Sequence, residues 1–183
     1  MSDEDSSRRG PGGRARQRWV RERTTFQRVY DVVTGLTAFE SASGVAERAN
    51  CSDDGARDAL AQLVEMGIVE ERDGRPVAYR RNDSYFQWKR IERLASENDA
   101  GALRDRVDEL VAEDDAFQDR FDAPDPNSIA QTAFETMDHD EIHDRWDAIT
   151  RWRSVRHDIE ILQQAAYRAA QRDGSDTGDA VSV

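Results

Sequence analysis

The side chains with the most reactive chemistry sit in the run Asp138-His139-Asp140-Glu141-Ile142-His143. His139 and His143 are four apart, so on a helix they share a face. Such a pair could hold a transition metal, with Asp144 or His157 as a further ligand. The H-E-x-x-H pattern of zinc proteases places a glutamate base directly after the first histidine. Asp140 occupies that position here, and its shorter side chain weakens that chemistry. Asp138 and Glu141 also have the spacing of a capping box, which accounts for both carboxylates as a helix start. Cys51, in a turn, could serve as a redox switch or simply pack. Trp146, Trp152 and Tyr167 could line an effector pocket, or form a core or dimer seam. There is no glycine-rich phosphate loop, no nucleophile elbow and no basic-aromatic RNA motif. The expectation is a protein that is no enzyme and carries no metal or cofactor.

Charge narrows the class further. The 183 residues carry 26 basic and 38 acidic side chains, a formal net charge of -12. Lys89 is the only lysine, and aspartate outnumbers glutamate. This composition resembles proteins of salt-accumulating halophilic archaea, whose acidic surfaces hold water in molar salt. There the Debye length is about 3 Å, so self-repulsion costs little. The charge is uneven. Residues 1 to 93 hold 17 basic and 16 acidic side chains, and residues 94 to 183 hold 9 and 22. The first half is therefore the one that can approach a polyanion. No apolar run approaches the roughly 20 residues that span a bilayer, and no secretory signal opens the chain. A lone cysteine excludes an internal disulfide framework and fits a reducing cytoplasm.

These residues must be positioned by elements legible in the pattern. Residues 1 to 19 read as a disordered basic arm, with Arg14, Arg16, Arg18, Arg21 and Arg23 around Trp19. That arm either orders on DNA or stays a solvated tail. Thr24 or Thr25 caps a helix over 25 to 35, with Phe26, Val29, Val33 and Leu36 on one face. Ser43 caps a short helix that turns Val45, Ala46 and Ala49 inward. Ser52 or Asp53 caps the next, whose stripe is Ala56, Leu60, Leu63 and Val64, and Gly67 stops it. Two short strands then flank the Asp73-Gly74 turn signature. Helix, tight turn, helix and hairpin over residues 43 to 82 read as a DNA-binding winged helix, whose second helix enters the major groove.

From Asp83 the pattern is helical. Leu103, Val107, Leu110, Asp114, Phe117 and Phe121 form a heptad seam containing one acid. Pro124 and Pro126 break the chain, and a short helix is expected near Ile129, Phe134 and Met137. A stripe through Ile142, Trp146, Ile149, Trp152, Val155, Ile159, Leu162, Ala166 and Ala169 then gives a helix about 45 Å long. It needs a partner, either the helix before Pro124 or a second chain.

The run from Ala49 to Glu70 resembles the winged helix-turn-helix regulators of the MarR, ArsR and TrmB type. Arg57, Ala59, Leu60, Leu63, Val64, Gly67, Ile68 and Val69 match their usual pattern, and Ala56 stands where valine is common. With the acidic composition, the chain is similar to a haloarchaeal transcriptional regulator. The resemblance implies a mainly α fold, locally α+β. It implies a winged helix-turn-helix domain over 20 to 82, a helical, coiled-coil-like dimerisation or regulatory domain over 83 to 172, and a disordered tail over 173 to 183. It implies double-stranded DNA as partner, a homodimer through the C-terminal helices, and a cytoplasmic location with no membrane contact. On this mapping the recognition helix presents Ser52, Asp53, Asp54, Arg57, Asp58, Ala61 and Gln62. Arg57 would pair with guanine, Gln62 with adenine, and an aspartate with cytosine. Arg72, Arg75, Arg80 and Arg81 on the wing would take phosphates, with Arg75 at the tip reaching the minor groove. Three aspartates on the reading face depart from the family pattern. They favour the rival reading of a winged helix that docks proteins, and the helical half leaves room for a metal- or ligand-responsive sensor.

Overall fold

A computed structural model describes residues 11–129 and 138–176. The expected helix near Phe134 and Met137 lies largely outside them, as do most of the expected tail and the first ten residues. The chain divides into two compact units, Met1–Phe86 and Gln87–Val183. The division falls at Phe86 rather than at residue 82, because Tyr85 and Phe86 pack against the core of the first unit. The described residues form seven helices and a small three-stranded antiparallel sheet. None of these helices is long and apolar enough to cross a membrane.

The first unit begins with α1 (Pro11–Glu22). A stretch expected to be disordered to residue 19 is therefore helical from Pro11, a proline suited to the first helical turn. Two side-chain bonds anchor it. Trp19 Nε1 donates to Asp31 at 2.8 Å, and Arg16 donates to the Glu47 carbonyl at 3.3 Å. Such tertiary partners are invisible in the composition of the segment itself.

Helix α2 (Thr25–Thr34) starts with a full capping box between Thr24 and Gln27. Strand β1 (Glu40–Ser41) leads into α3 (Ala42–Ala49). The cap of α3 is Ser41, not Ser43: the Ser41 hydroxyl accepts from Gly44 N–H at 3.1 Å. Ser43 instead donates to Asp53 at 2.7 Å, joining the start of α3 to the start of α4. Asn50 ends α3 in the left-handed region, at φ 51°. Helix α4 (Asp53–Glu65) is capped by Ser52, which accepts from Gly55 N–H at 3.2 Å. Gly67, at φ 71°, turns the chain out of it, a conformation that costs a glycine little.

Strands β2 (Val69–Arg72) and β3 (Ala78–Arg81) pair with Arg72 opposite Ala78, and β1 adds to β3 to give the order β1-β3-β2. Five residues therefore join the hairpin, and Asp73-Gly74 is not a two-residue turn. Pro76 has no N–H to offer a ladder, so regular pairing begins beyond it. The core is Val29, Val33, Val45, Ala49, Ala56, Leu60, Leu63, Ile68 and neighbours, the inward stripes of α2, α3 and α4 closed by the sheet through Val69 and Tyr79.

The second unit holds most of α5 (Asp83–Glu97), α6 (Ala100–Phe121) and the 38-residue α7 (His139–Asp176). At 1.5 Å per residue α7 is about 57 Å long. Its partner lies within the chain: α6 runs antiparallel to it, with Leu103 clustering with Ile161 and Ala165, and Phe121 with Ile149 and Trp152. The heptad seam of α6 is buried at Leu103, Val107, Leu110, Asp114 and Phe121. The acid in the seam is satisfied: Asp114 accepts from Trp152 Nε1 at 2.6 Å and from Gln118 at 2.8 Å. Along α7 the stripe holds at Ile149, Trp152, Val155, Ala166 and Ala169, but Trp146 is half exposed and Ile161 is fully buried instead of Leu162. On a straight helix of 3.6 residues per turn a heptad stripe drifts by about 20° every seven residues, so one stripe does not stay inward along a helix of 38 residues.

Candidate nucleic-acid interface

The outer face of α4 carries Arg57, Asp58, Ala61 and Gln62, all exposed. It follows from the helical period: Ala56, Ala59, Leu60 and Leu63 are drawn into the core, so the residues between them face out. Arg57 is the only base on the helix. It donates to Asp54 at 2.7 Å, and Asp53 stands 3.6 Å from the same guanidinium. Asp53 and Asp54 occupy the first turn, where negative charge favours the helix N-terminus. Gln62 donates to the Asp58 carbonyl one turn back, at 3.3 Å. Ser52 uses its oxygen as the cap acceptor, which leaves its O–H free to donate to an anion.

The arginines of the hairpin divide into two groups. Arg80 pairs with Glu70, its cross-strand neighbour, at 2.5 Å. Arg81 donates to Asp83 at 2.6 Å and to the Thr34 carbonyl at 3.3 Å. Both serve the fold of the unit. Arg72 is exposed, and its guanidinium lies 4.2 Å from the centre of the Phe39 ring, with that of Arg80 at 4.6 Å. Arg75, in the exposed loop, has no ion pair or hydrogen bond among the described residues. Phe39 was not legible as part of this surface. It precedes a strand of only two residues, too short to show alternation.

Beneath α4, Arg28 is buried, donates to Thr25 at 3.2 Å and has no partner for Nε. Cys51 is held above the ordinary thiol range, chiefly by burial and secondarily by Asp53, against the opposing charge of Arg28. A thiol shifted that way is a poorer nucleophile at neutral pH, which speaks against a redox switch. Tyr79 is likewise pushed up, first by burial and then by the charge and hydrogen bond of Glu71.

In the second unit, His139 and His143 meet edge to face with ring centres 4.7 Å apart. Asp138 and Glu141 exchange both hydrogen bonds of a capping box, at 3.2 and 2.9 Å. The described residues contain no group of three or more histidine, cysteine or acidic side chains placed to hold a metal. Trp152 is buried in the core, and Tyr167 is exposed. Trp146 lines a cleft of about 470 Å³ with Pro126, Ile129, Ile142, Ile149 and Arg153.

The model of one protein family, described as a family of unknown function (DUF7342), matches residues 23–168. No curated protein and no solved structure matches the chain.

Proposed function

The chain belongs to the DUF7342 family, and we propose that its first unit is a winged helix-turn-helix that binds double-stranded DNA in transcriptional control. The observation that carries this reading is the element order α2-β1-α3-α4-β2-β3, with β1 closing antiparallel on the hairpin. It supports α3 and α4 as the helix-turn-helix pair and the loop from Asp73 to Val77 as the wing. In that arrangement α4 enters the major groove with Arg57, Asp58 and Gln62 toward base edges. Arg72 and Arg75 are then the wing residues left to meet phosphates, because Arg80 and Arg81 are engaged by acids.

A homodimer is part of the reading, since one winged helix makes few base contacts and two would read half-sites about one helical turn apart. The C-terminal helices would join the copies. Val111 on α6 and Tyr167 on α7 are exposed large apolar groups there. Sedimentation of the purified protein in molar potassium chloride tests this, and a monomer at all concentrations removes it.

The acid-bound Arg57 favours a second reading, a winged helix that docks a protein and not DNA. One titration separates the two. DNA from upstream of the protein's own gene, with a scrambled control, is titrated from low to molar potassium chloride. Saturable binding that Arg57→Ala or Arg75→Ala weakens supports the regulator, and the slope reports whether cations are released or taken up. No binding at any salt leaves the docking module.

A further inference from the structure

We infer that α1 is a second DNA contact, gripping the phosphate backbone by charge alone and supplying affinity without sequence preference; this rests on the DNA-binding reading above. Residues 11 to 23 contain five arginines and a single acid, Glu22, in a chain whose net charge is -12. Arg18, Arg21 and Arg23 are exposed and have no ion pair or hydrogen bond among the described residues. The same holds for Arg48 near the end of α3. Elsewhere in the unit Arg57, Arg80 and Arg81 are each bound to a carboxylate, while Arg72 and Arg75 of the hairpin have no ion pair among the described residues. The larger group of exposed arginines without a carboxylate partner among the described residues is therefore Arg18 and Arg21 on α1, Arg23 just past it and Arg48 at the adjoining end of α3, with Arg72 and Arg75 on the hairpin as the smaller.

The helix is held in place for this role. Arg16 donates to the Glu47 carbonyl, which brings α1 beside Arg48, and Trp19 is bonded to Asp31 of α2. Arg18 and Arg21 are three apart, so they are like-charge neighbours on one helix face, an arrangement that opposes the helix unless a polyanion neutralises it. From Arg18 to Arg21 is about 4.5 Å along the axis, a little more than the rise of about 3.4 Å between successive nucleotides of one DNA strand, and Arg23 follows just past the helix end. Flexible guanidiniums at that spacing suit phosphate oxygens and meet no base edge, so they position the duplex without reading it.

The test uses the full chain carrying Arg18→Gln, Arg21→Gln and Arg23→Gln together. These side chains are exposed, so the thermal midpoint is expected to match the wild type. The upstream duplex and the scrambled duplex are titrated over a range of potassium chloride. The expected result is that affinity for both falls by the same factor, at least tenfold at low salt, with their ratio unchanged. The salt slope shifts by about two to three toward fewer released counterions. The triple lysine variant at the same positions keeps the wild-type slope. If the wild type binds and the glutamine variant binds equally with an unchanged slope, α1 is not a contact, while the winged-helix reading stands. A collapse of the ratio between the two duplexes shows α1 reading bases and overturns the charge-only contact. If the wild type binds neither duplex at any salt, both readings fall together.

Discussion

Arg57 donates to Asp54 across 2.7 Å on the exposed face of α4, so the one cation of that helix is held by an acid one turn away. To meet a base or a phosphate it must first leave this pair. The exchange costs little, because exposed ion pairs contribute only about 0.2–1 kcal/mol. On the proposed DNA-binding reading, affinity on this face is set by a local competition between the helix's own aspartates and the duplex.

Relieving that competition should tighten binding. Asp54→Asn removes one acceptor and one repelling charge, and is expected to raise DNA affinity about twofold to fivefold, the equivalent of the pair energy above. Asp54 is 94% exposed, so the fold should not respond. A titration in which Asp54→Asn binds no better than wild type would mean that Arg57 takes no part in the contact.

The caps of α3 and α4 can be told apart by stability. Ser41→Ala and Ser52→Ala should each cost about 1 kcal/mol, because each hydroxyl accepts a first-turn N–H. Ser43→Ala should stay within about 0.5 kcal/mol, since its bond to Asp53 is exposed. Calorimetry of the three variants checks the order, and Ser43→Ala as the costliest of them would reverse the assignment.

In the second unit, the buried bond between Trp152 and Asp114 should behave as a unit. Asp114→Leu leaves an indole N–H without its acceptor and is expected to cost about 1–3 kcal/mol. Trp152→Phe should cost less when combined with Asp114→Leu than alone, because donor and acceptor then leave together. A double-mutant cycle reads this coupling directly, and additive costs would rule it out.

Acid should weaken the bridge between α6 and α7 at Glu113. Arg151 donates two hydrogen bonds to its carboxylate, at 2.8 and 2.7 Å. That hydrogen bonding, helped by the charges of Arg151 and Arg106 and opposed by burial, holds Glu113 below the ordinary carboxylate range. A depressed carboxylate contributes stability above its unfolded pKa, about 4.3 for glutamate, and loses it as pH falls through the folded value. The pair is largely solvated, so the effect is small. Glu113→Gln should be slightly less stable than wild type at neutral pH, and the gap should close below about pH 4. A gap that persists in strong acid would show that charge is not its source.

Local pattern was enough to place the inward stripes of α2, α3 and α4 and the stop at Gly67. Apolar spacing and a left-handed glycine act within a few residues, and the buried set from Val29 to Leu63 follows from them. The capping box at Asp138 and Glu141 was legible for the same reason. Other features depend on partners far along the chain. That Ser41 caps α3 while Ser43 ties to Asp53 turns on where β1 pairs with β3. The helicity of α1 goes with Trp19 meeting Asp31 and Arg16 meeting Glu47, contacts that no composition count contains. The pairing of α6 with α7 needed the fold, because a heptad seam suits a helix of the same chain and one of another chain equally well. So did the division of the arginines, since a sequence shows which cations are present but not which acids lie within reach. The distribution of charge along the sequence set the expectation of a polyanion for the first half, and tertiary structure decided which of its arginines are held by acids and which are not.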